Sequence, residues 1–276
     1  MPEKAEWEEL VRHLEALLRL KTFPVALKLL EDEKELAEYK WARRPNTKLT
    51  LCQMINIVRT FDWTVGAIAE DFAYPLCAAV VGLVELPEDV KDGTFRNLVW
   101  CKTKEEGKKC EDSTPRIPAG KYKAVVLAPL VYISYEPDMV LIYGNPAQMI
   151  LIINALQFED YERFQFFCVG EGSCVDAIAQ CYFSKKPSLT IPCYGERRYG
   201  HAQDDELVMA LPPQMLEKVE RNLQELYKRG VCYPISPYGA QVNALDGMPP
   251  GYHSLAKGEK IEGLGVPLRK VTRWQK

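Results

Sequence analysis

Residues 166–198 constrain the fold more than any other part of the chain, because four of its nine cysteines lie there. The apolar residues 166–169 (Phe166, Phe167, Cys168, Val169) predict a strand that the turn Gly170-Glu171-Gly172 ends. Ser173 is then a helix cap, with Asp176 in the acidic position of a capping box. A second strand and a second glycine turn follow, so the segment places thiols beside irregular backbone.

Three cysteines lie in the first turn of a predicted helix. Thr50 caps the helix that contains Cys52, Pro75 begins the helix that contains Cys77, and Cys174 follows the cap of the central segment. Unpaired N–H groups and the positive end of the helix dipole favour a thiolate at such positions. The alternative interpretation is a structural one, in which each thiol is only a small buried apolar group.

A fourth thiol, Cys193, lies two residues before Gly195, where the missing side chain permits close approach of the backbone. The chain has no C-x-x-C pair, and the cysteine spacings match no compact ferredoxin run. We therefore expect a thiolate site assembled by the fold from distant segments, and an iron–sulfur cluster is the cofactor that four cysteines favour. The predicted ligands are Cys52, Cys77, Cys174 and Cys193.

An anionic ligand is the expected partner of this site. Gly172 and Ser173 form a turn before a helix, whose free N–H groups bind anions, and Arg197 provides a guanidinium for a carboxylate or phosphate. For Arg197 an ordinary surface position is an equally good interpretation. These three residues are the predicted substrate-binding groups.

Composition limits the other partners. The net charge of −3 gives no reason to expect nucleic acid, and no apolar run reaches the length of a membrane span. The polar N-terminal residues do not resemble a secretion signal, so we expect a cytoplasmic protein with reduced thiols. A homo-oligomer is left open.

Strands and helices alternate along the chain, which predicts an α/β or α+β fold with a mixed sheet flanked by helices. Residues 1–230 are predicted as one domain and the Pro/Gly-rich residues 231–276 as a tail packed on it. Residues 88–118 are interpreted as a polar surface excursion in which Cys101 and Cys110 are structural. Two similar helix starts lie 95 residues apart. This spacing suggests a divergent internal duplication, with halves 21–120 and 121–230.

Several short motifs resemble the uncharacterised ArCR family, domain of unknown function 169. They are Cys52-Gln53-Met54, Pro137-Asp138-Met139-Val140, Asn145-Pro146-Ala147-Gln148, Pro192-Cys193-Tyr194-Gly195-Glu196-Arg197 and Asp204-Asp205-Glu206-Leu207. The resemblance covers roughly residues 10–226 and implies a cytoplasmic prokaryotic protein. It implies no reaction, because the family has no settled activity.

Three functions remain in competition. The first is an iron–sulfur or other thiolate-metal protein with a redox or Lewis-acid role on a small anionic substrate. The second is a non-catalytic protein that binds a small molecule or a tetrapyrrole such as haem, using the aromatic residues Phe166, Tyr182 and Tyr194. The third is an enzyme without a cofactor whose nucleophile is Cys174 or Cys193.

Overall fold

A single antiparallel sheet forms the centre of the protein. The computed structural model describes residues 4–166, 168–235, 245 and 247–258. Within those residues the strands are β1 (Val25–Leu30), β2 (Val65–Ile68), β3 (Ala124–Pro129), β4 (Met139–Gly144), β5 (Ser188–Thr190) and β6 (Leu207–Leu211). They form a six-stranded sheet in the order β2-β3-β1-β4-β6-β5. The α+β prediction is confirmed.

Every strand pair of this sheet is antiparallel, whereas the sequence predicted a mixed sheet. The register explains how β1 separates two strands that are close in sequence. Leu27 pairs with Leu127 on β3 and with Met139 on β4, so β4 begins close to the level at which β3 ends, where Val25 pairs with Pro129. This stagger lets a short connection join β3 to β4, and no crossover helix is needed. Alternation of elements in the sequence does not specify that arrangement.

Helices cover both faces of the sheet. They are α1 (Lys4–Leu18), α2 (Leu51–Phe61), α3 (Pro75–Val80), α4 (Glu88–Lys91), α5 (Thr94–Val99), α6 (Lys104–Ser113), α7 (Pro146–Gln157), α8 (Gln180–Ser184), α9 (Tyr194–Gly200), α10 (Leu216–Lys228) and α11 (Pro250–Ala256). A π-helical turn, Val175–Ala179, precedes α8. Short 3-10 turns are Glu33–Glu38, Ala69–Asp71, Leu130–Tyr132 and Pro213–Met215.

The two faces of the sheet carry separate apolar cores. Alternate residues of β1 divide between them: Val25 and Leu27 pack with α2, α3 and the π-helical turn, and Ala26 packs with α1, α7 and α10. Because both faces are covered, β3 and β4 are buried along their whole length. This explains why they appear in the sequence as continuous apolar runs.

The helix starts predicted at Thr50 and Asn145 are confirmed. Each residue caps its helix and forms a capping box with the glutamine three positions later, Gln53 or Gln148. The similarity between these two segments is therefore a shared local capping geometry. It does not by itself show an internal repeat.

Two predicted segments differ in the structure. Phe166, Cys168 and Val169 form no strand, and Phe167 lies outside the described residues. The Val169 N–H donates to the Asp176 carboxylate at 2.9 Å. This backbone N–H, which a strand would use to pair with its neighbour, is therefore bonded to a side chain instead. Residues 88–118 are largely helical rather than an irregular excursion, because they contain α4, α5 and α6.

Only part of the predicted C-terminal tail is described. Residues 231–235, 245 and 247–258 are present and include α11, and the remainder of 231–276 lies outside the described residues. Among the helices that are described, none has the length and apolar character needed to cross a bilayer.

A buried ion pair ties α2 to the segment that leads into β6. The Arg59 guanidinium donates to the two carboxylate oxygens of Glu206 at 3.0 and 3.1 Å and to the His201 carbonyl at 3.2 Å. It also lies 4.1 Å from the centre of the Tyr143 ring. The side chains of the pair are only 3% and 7% exposed, so water cannot replace either partner.

Replacing Arg59 by Met should therefore destabilise the fold by about 3–5 kcal/mol, because the Glu206 carboxylate would stay buried without its partner. The matched control is Arg221→Met, which removes a pair with Glu159 whose side chains are 57% and 40% exposed. That loss should cost at most about 1 kcal/mol. Urea unfolding of both variants measures the difference, and equal costs would contradict the assignment.

Candidate functional site

A cavity of about 410 Å³ lies beside the starts of α2, α3 and α9. Four cysteines from four separate segments line it: Cys52, Cys77, Cys174 and Cys193. We refer to them as the four cavity cysteines. All four are free thiols, and they are the residues that the sequence predicted as ligands. Thiols that are far apart in sequence therefore share one site.

Backbone pairing brings the first two cysteines together. A short parallel bridge joins Leu49 to Phe72, with the Ala73 N–H donating to the Leu49 carbonyl at 2.8 Å. The bridge sets the start of α3 beside the start of α2. Cys77 and Cys52, each in the first turn of its helix, consequently face the same cavity.

A glycine lets α9 lie directly against α2. A side chain at Gly200 would place its Cβ 2.9 Å from Cys52 Cβ and 3.1 Å from the Cys52 carbonyl oxygen. This contact requires glycine, whereas a Cβ at Gly195 would meet only Cys193 Sγ, at 3.9 Å. The close approach expected at Gly195 therefore occurs at Gly200. The Cys52 thiol in turn donates to the Gly195 carbonyl at 3.8 Å.

The Glu196 carboxyl joins the remaining segments of the site. It is 5% exposed and accepts hydrogen bonds from the Tyr143 and Ser173 hydroxyls. The Ser173 oxygen accepts from the Cys193 N–H at 3.1 Å. Burial raises the pKa of this carboxyl, and the two hydroxyl donors oppose that shift. Glu196 also lines the cavity, although sequence reasoning did not select it.

Ser173 differs from its predicted role as a cap. It is already part of the helix, and its hydroxyl is used by Glu196. Gly172 lines the cavity, and its carbonyl accepts the Val175 N–H at 2.9 Å. The π-helical turn follows Cys174 immediately, and such turns often occur at functional sites.

Burial keeps three of the four cavity cysteines in the thiol form. It raises the pKa of Cys52 to about 12, and raises the pKa of Cys77 and, most strongly, of Cys174. Repulsion between thiolates, if the neighbouring cavity cysteines ionise, raises the pKa of Cys174 further. The thiols are thus close enough to influence one another's ionisation. The expected stabilisation of a thiolate by the helix start is smaller than the cost of desolvation.

The arrangement does not match a site for a single metal ion. Within the described part of the chain, no group of three or more His, Cys, Asp or Glu side chains is placed so that it could hold one ion.

The segment interpreted as a surface excursion forms a wall of the cavity. From α5 it contributes Arg96 and three apolar side chains, which are Phe95, Val99 and Trp100. The missed signal was the sequence Thr103-Lys104-Glu105-Glu106, because Thr103 caps α6 and accepts the Glu106 N–H at 3.3 Å. The high charge of this segment concealed that Arg96 and Glu111 are buried.

Aromatic side chains surround the mouth of the cavity. Trp100 and Tyr194 meet edge to face with ring centres 6.0 Å apart, although they are 45% and 59% exposed. Tyr74 and Tyr199 also line the cavity and are partly exposed. The site is therefore open to ligands through an apolar, aromatic entrance.

Arg197 is directed elsewhere. Its guanidinium donates to the Pro192 carbonyl at 3.1 Å and to the Gln203 carbonyl at 2.6 Å, and it lies 3.6 Å from Asp204. It is not among the residues that line the cavity. In this position Arg197 holds the loop after α9 to the segment before it. Arg96 and Arg116 are the arginines that reach the cavity.

Comparison with known proteins identifies relatives without a known activity. A model of the family described as uncharacterised ArCR, domain of unknown function 169, matches residues 13–222. An uncharacterised protein from Methanocaldococcus jannaschii is 27% identical over 237 residues, which are 82% of this chain and 97% of that protein. No solved structure matches the chain significantly. The matched region contains all four cavity cysteines.

Replacing Tyr143 by Phe should cost about 1–3 kcal/mol of stability, because the buried Glu196 carboxyl loses a donor that water cannot replace. The control is Tyr132→Phe, which removes an exposed hydroxyl that donates to Asp62 at 3.0 Å. That change should stay within about 0.5 kcal/mol. Chemical denaturation of the two variants provides the comparison, and a neutral Tyr143 variant would contradict the role given to Glu196.

Gly200→Ala should destabilise the protein by about 1–3 kcal/mol, because the added methyl group forces α9 away from Cys52. Gly195→Ala is the matched control in the same helix. It meets only an ordinary contact with Cys193 Sγ and gains helix propensity, so its stability should be unchanged or higher by up to about 1 kcal/mol. Thermal and urea unfolding test the pair, and the reverse order of stability would refute this packing.

Proposed function

The chain belongs to the uncharacterised ArCR family, and we propose that it carries an iron–sulfur cluster, or another thiolate-bound metal centre, in its cysteine-lined cavity. The proposed ligands are Cys52, Cys77, Cys174 and Cys193. The centre would have a redox or Lewis-acid role on a small anionic substrate, in the reducing cytoplasm. The observation that carries the proposal is that four thiols from four separate segments line one cavity.

The number and surroundings of the thiols favour a cluster. Iron–sulfur clusters usually take four cysteine ligands, and the protein adjusts them through burial and hydrogen bonds to sulfur. Each iron of a four-iron cluster takes one cysteine, so the ligands surround a larger body than a single ion. Cys52, Cys77, Cys174 and Cys193 all line one cavity, so four thiols are available to such a cluster.

The shielding around the thiols is also suitable. The Leu51 backbone opposes the rise in the pKa of Cys77, and Thr50 Oγ1 lies 3.1 Å from Cys52 Sγ, so polar groups already lie beside these sulfurs. Apolar and aromatic side chains, among them Phe95, Val99 and Trp100, line part of the cavity and would limit the access of water and oxygen. Metal binding to neutral thiols releases protons, so the affinity of the site should rise with pH.

The two rival functions receive less support. A nucleophilic cysteine needs a lowered pKa, whereas burial raises the pKa of Cys174, one of the two candidate nucleophiles. A tetrapyrrole or another apolar small molecule is favoured by the aromatic entrance alone. That alternative gives no role to four converging thiols.

Anaerobic reconstitution with iron and sulfide tests the proposal. The wild-type chain should gain a broad visible absorption band with about four iron and four sulfide per chain. Replacing any one of the four cavity cysteines by Ser should remove most of this band. The matched control is Cys181→Ser, because Cys181 is also a buried free thiol but does not line the cavity.

Four results would count against the cluster. Failure of the wild-type chain to retain iron would rule out the cluster. An equal loss of the visible absorption band in the Cys181 variant would show that the cavity is not the cluster site. A sharp Soret band after purification would instead support a tetrapyrrole. One thiol that is alkylated rapidly at neutral pH, with no chromophore, would support a cysteine nucleophile.

A further inference from the structure

Two arginines in the cavity wall share a single carboxylate. Arg96 Nε donates to one oxygen of Glu111, and Arg116 Nη2 donates to the other at 2.6 Å. The Arg96 and Glu111 side chains are 4% and 2% exposed, and that of Arg116 is 14% exposed. Both arginines line the cavity. Two positive charges therefore face one negative charge at a site with little access to water.

The other polar contacts of the two arginines leave hydrogen-bonding groups unused. Arg96 Nη1 donates to the Glu171 backbone carbonyl at 2.9 Å. The Glu171 side chain also lines the cavity; burial raises the pKa of its carboxyl, and the positive charge of Arg96 opposes that shift. Arg116 Nε is buried and has no hydrogen-bond partner among the described residues. An anionic ligand would satisfy a guanidinium that the protein leaves incompletely bonded.

The surface beside the arginines is apolar. Phe95, Val99 and Trp100 lie on or next to α5, the same helix that carries Arg96, and all three line the cavity. The cavity volume of about 410 Å³ is within the usual range for small-molecule sites. This wall favours a ligand with an apolar body, which inorganic phosphate lacks, and a planar carboxylate matches the geometry of a guanidinium.

We propose that Arg116, supported by Arg96, binds the carboxylate of a small organic acid whose apolar or aromatic body packs against Phe95, Val99 and Trp100. This inference specifies the substrate class of the proposed function, and its status as a substrate rests on that function. Binding itself does not require the metal centre. It assigns the anion-binding role to Arg116 in place of Arg197.

Calorimetric titration of the full chain, both metal-free and reconstituted, tests the assignment with three probes. Phenylacetate should bind, whereas the neutral isostere phenylacetamide and inorganic phosphate should each bind at least about tenfold more weakly. Arg116→Gln should weaken phenylacetate binding by about tenfold or more. Arg116→Lys keeps the charge without the planar fork, so it should give a smaller loss.

Arg221→Gln, a surface change on α10, is the control and should leave the affinity within about twofold. Thermal melting confirms that each variant is folded, and the Lys variant decides the question if the Gln variant does not fold. Equal binding of phenylacetamide, an unchanged Arg116 variant, or a loss seen only in Arg197→Gln would overturn the assignment. Because the metal-free chain is titrated separately, failure of reconstitution would contradict the metal centre alone.

Discussion

The buried Glu196 carboxyl is the interaction on which the site depends. It accepts hydrogen bonds from the hydroxyls of Tyr143 on β4 and of Ser173. The Ser173 oxygen in turn accepts a hydrogen bond from the Cys193 N–H. Tyr143 also stacks with Arg59, whose guanidinium is paired with Glu206. The sheet, α2 and the segments that carry three of the four cavity cysteines are therefore joined through polar groups that have no access to water. Such a network stabilises one geometry when all its members are satisfied.

The hydrogen-bond network around Glu196 and the apolar packing stabilise different parts of the structure. The apolar cores on the two faces of the sheet stabilise the α+β fold as a whole. The close contact of Gly200 with Cys52, together with the Leu49–Phe72 bridge, sets the relative positions of the helix starts. The polar network then fixes Cys193 and the helix that contains Cys174. A rigid arrangement of thiols of this kind is what the proposed metal centre would require.

The three helices α4–α6 give the site its chemical contrast. They place the buried Arg96, which is paired with Glu111, on the same cavity surface as Phe95 and Trp100. One part of the cavity thus offers thiols, another offers positive charge, and the entrance is aromatic. A centre at the thiols and a carboxylate at the arginines would lie in the same cavity, and such proximity is what the proposed redox or Lewis-acid reaction on an organic acid would need.

The sequence by itself determined the local features. The capping residues Thr50 and Asn145, the helix start at Pro75 and the buried strands β3 and β4 are encoded by short patterns, because they depend on neighbours a few residues away. Family membership and the choice of the four cysteines also came from short motifs. The tertiary structure decided the rest: that the sheet is antiparallel, that Gly200 rather than Gly195 makes the close contact, and that Arg96 and Arg116 rather than Arg197 reach the cavity. The physical reason is that burial of a charged side chain, or contact between residues over a hundred positions apart, depends on how distant segments pack, which no local pattern records.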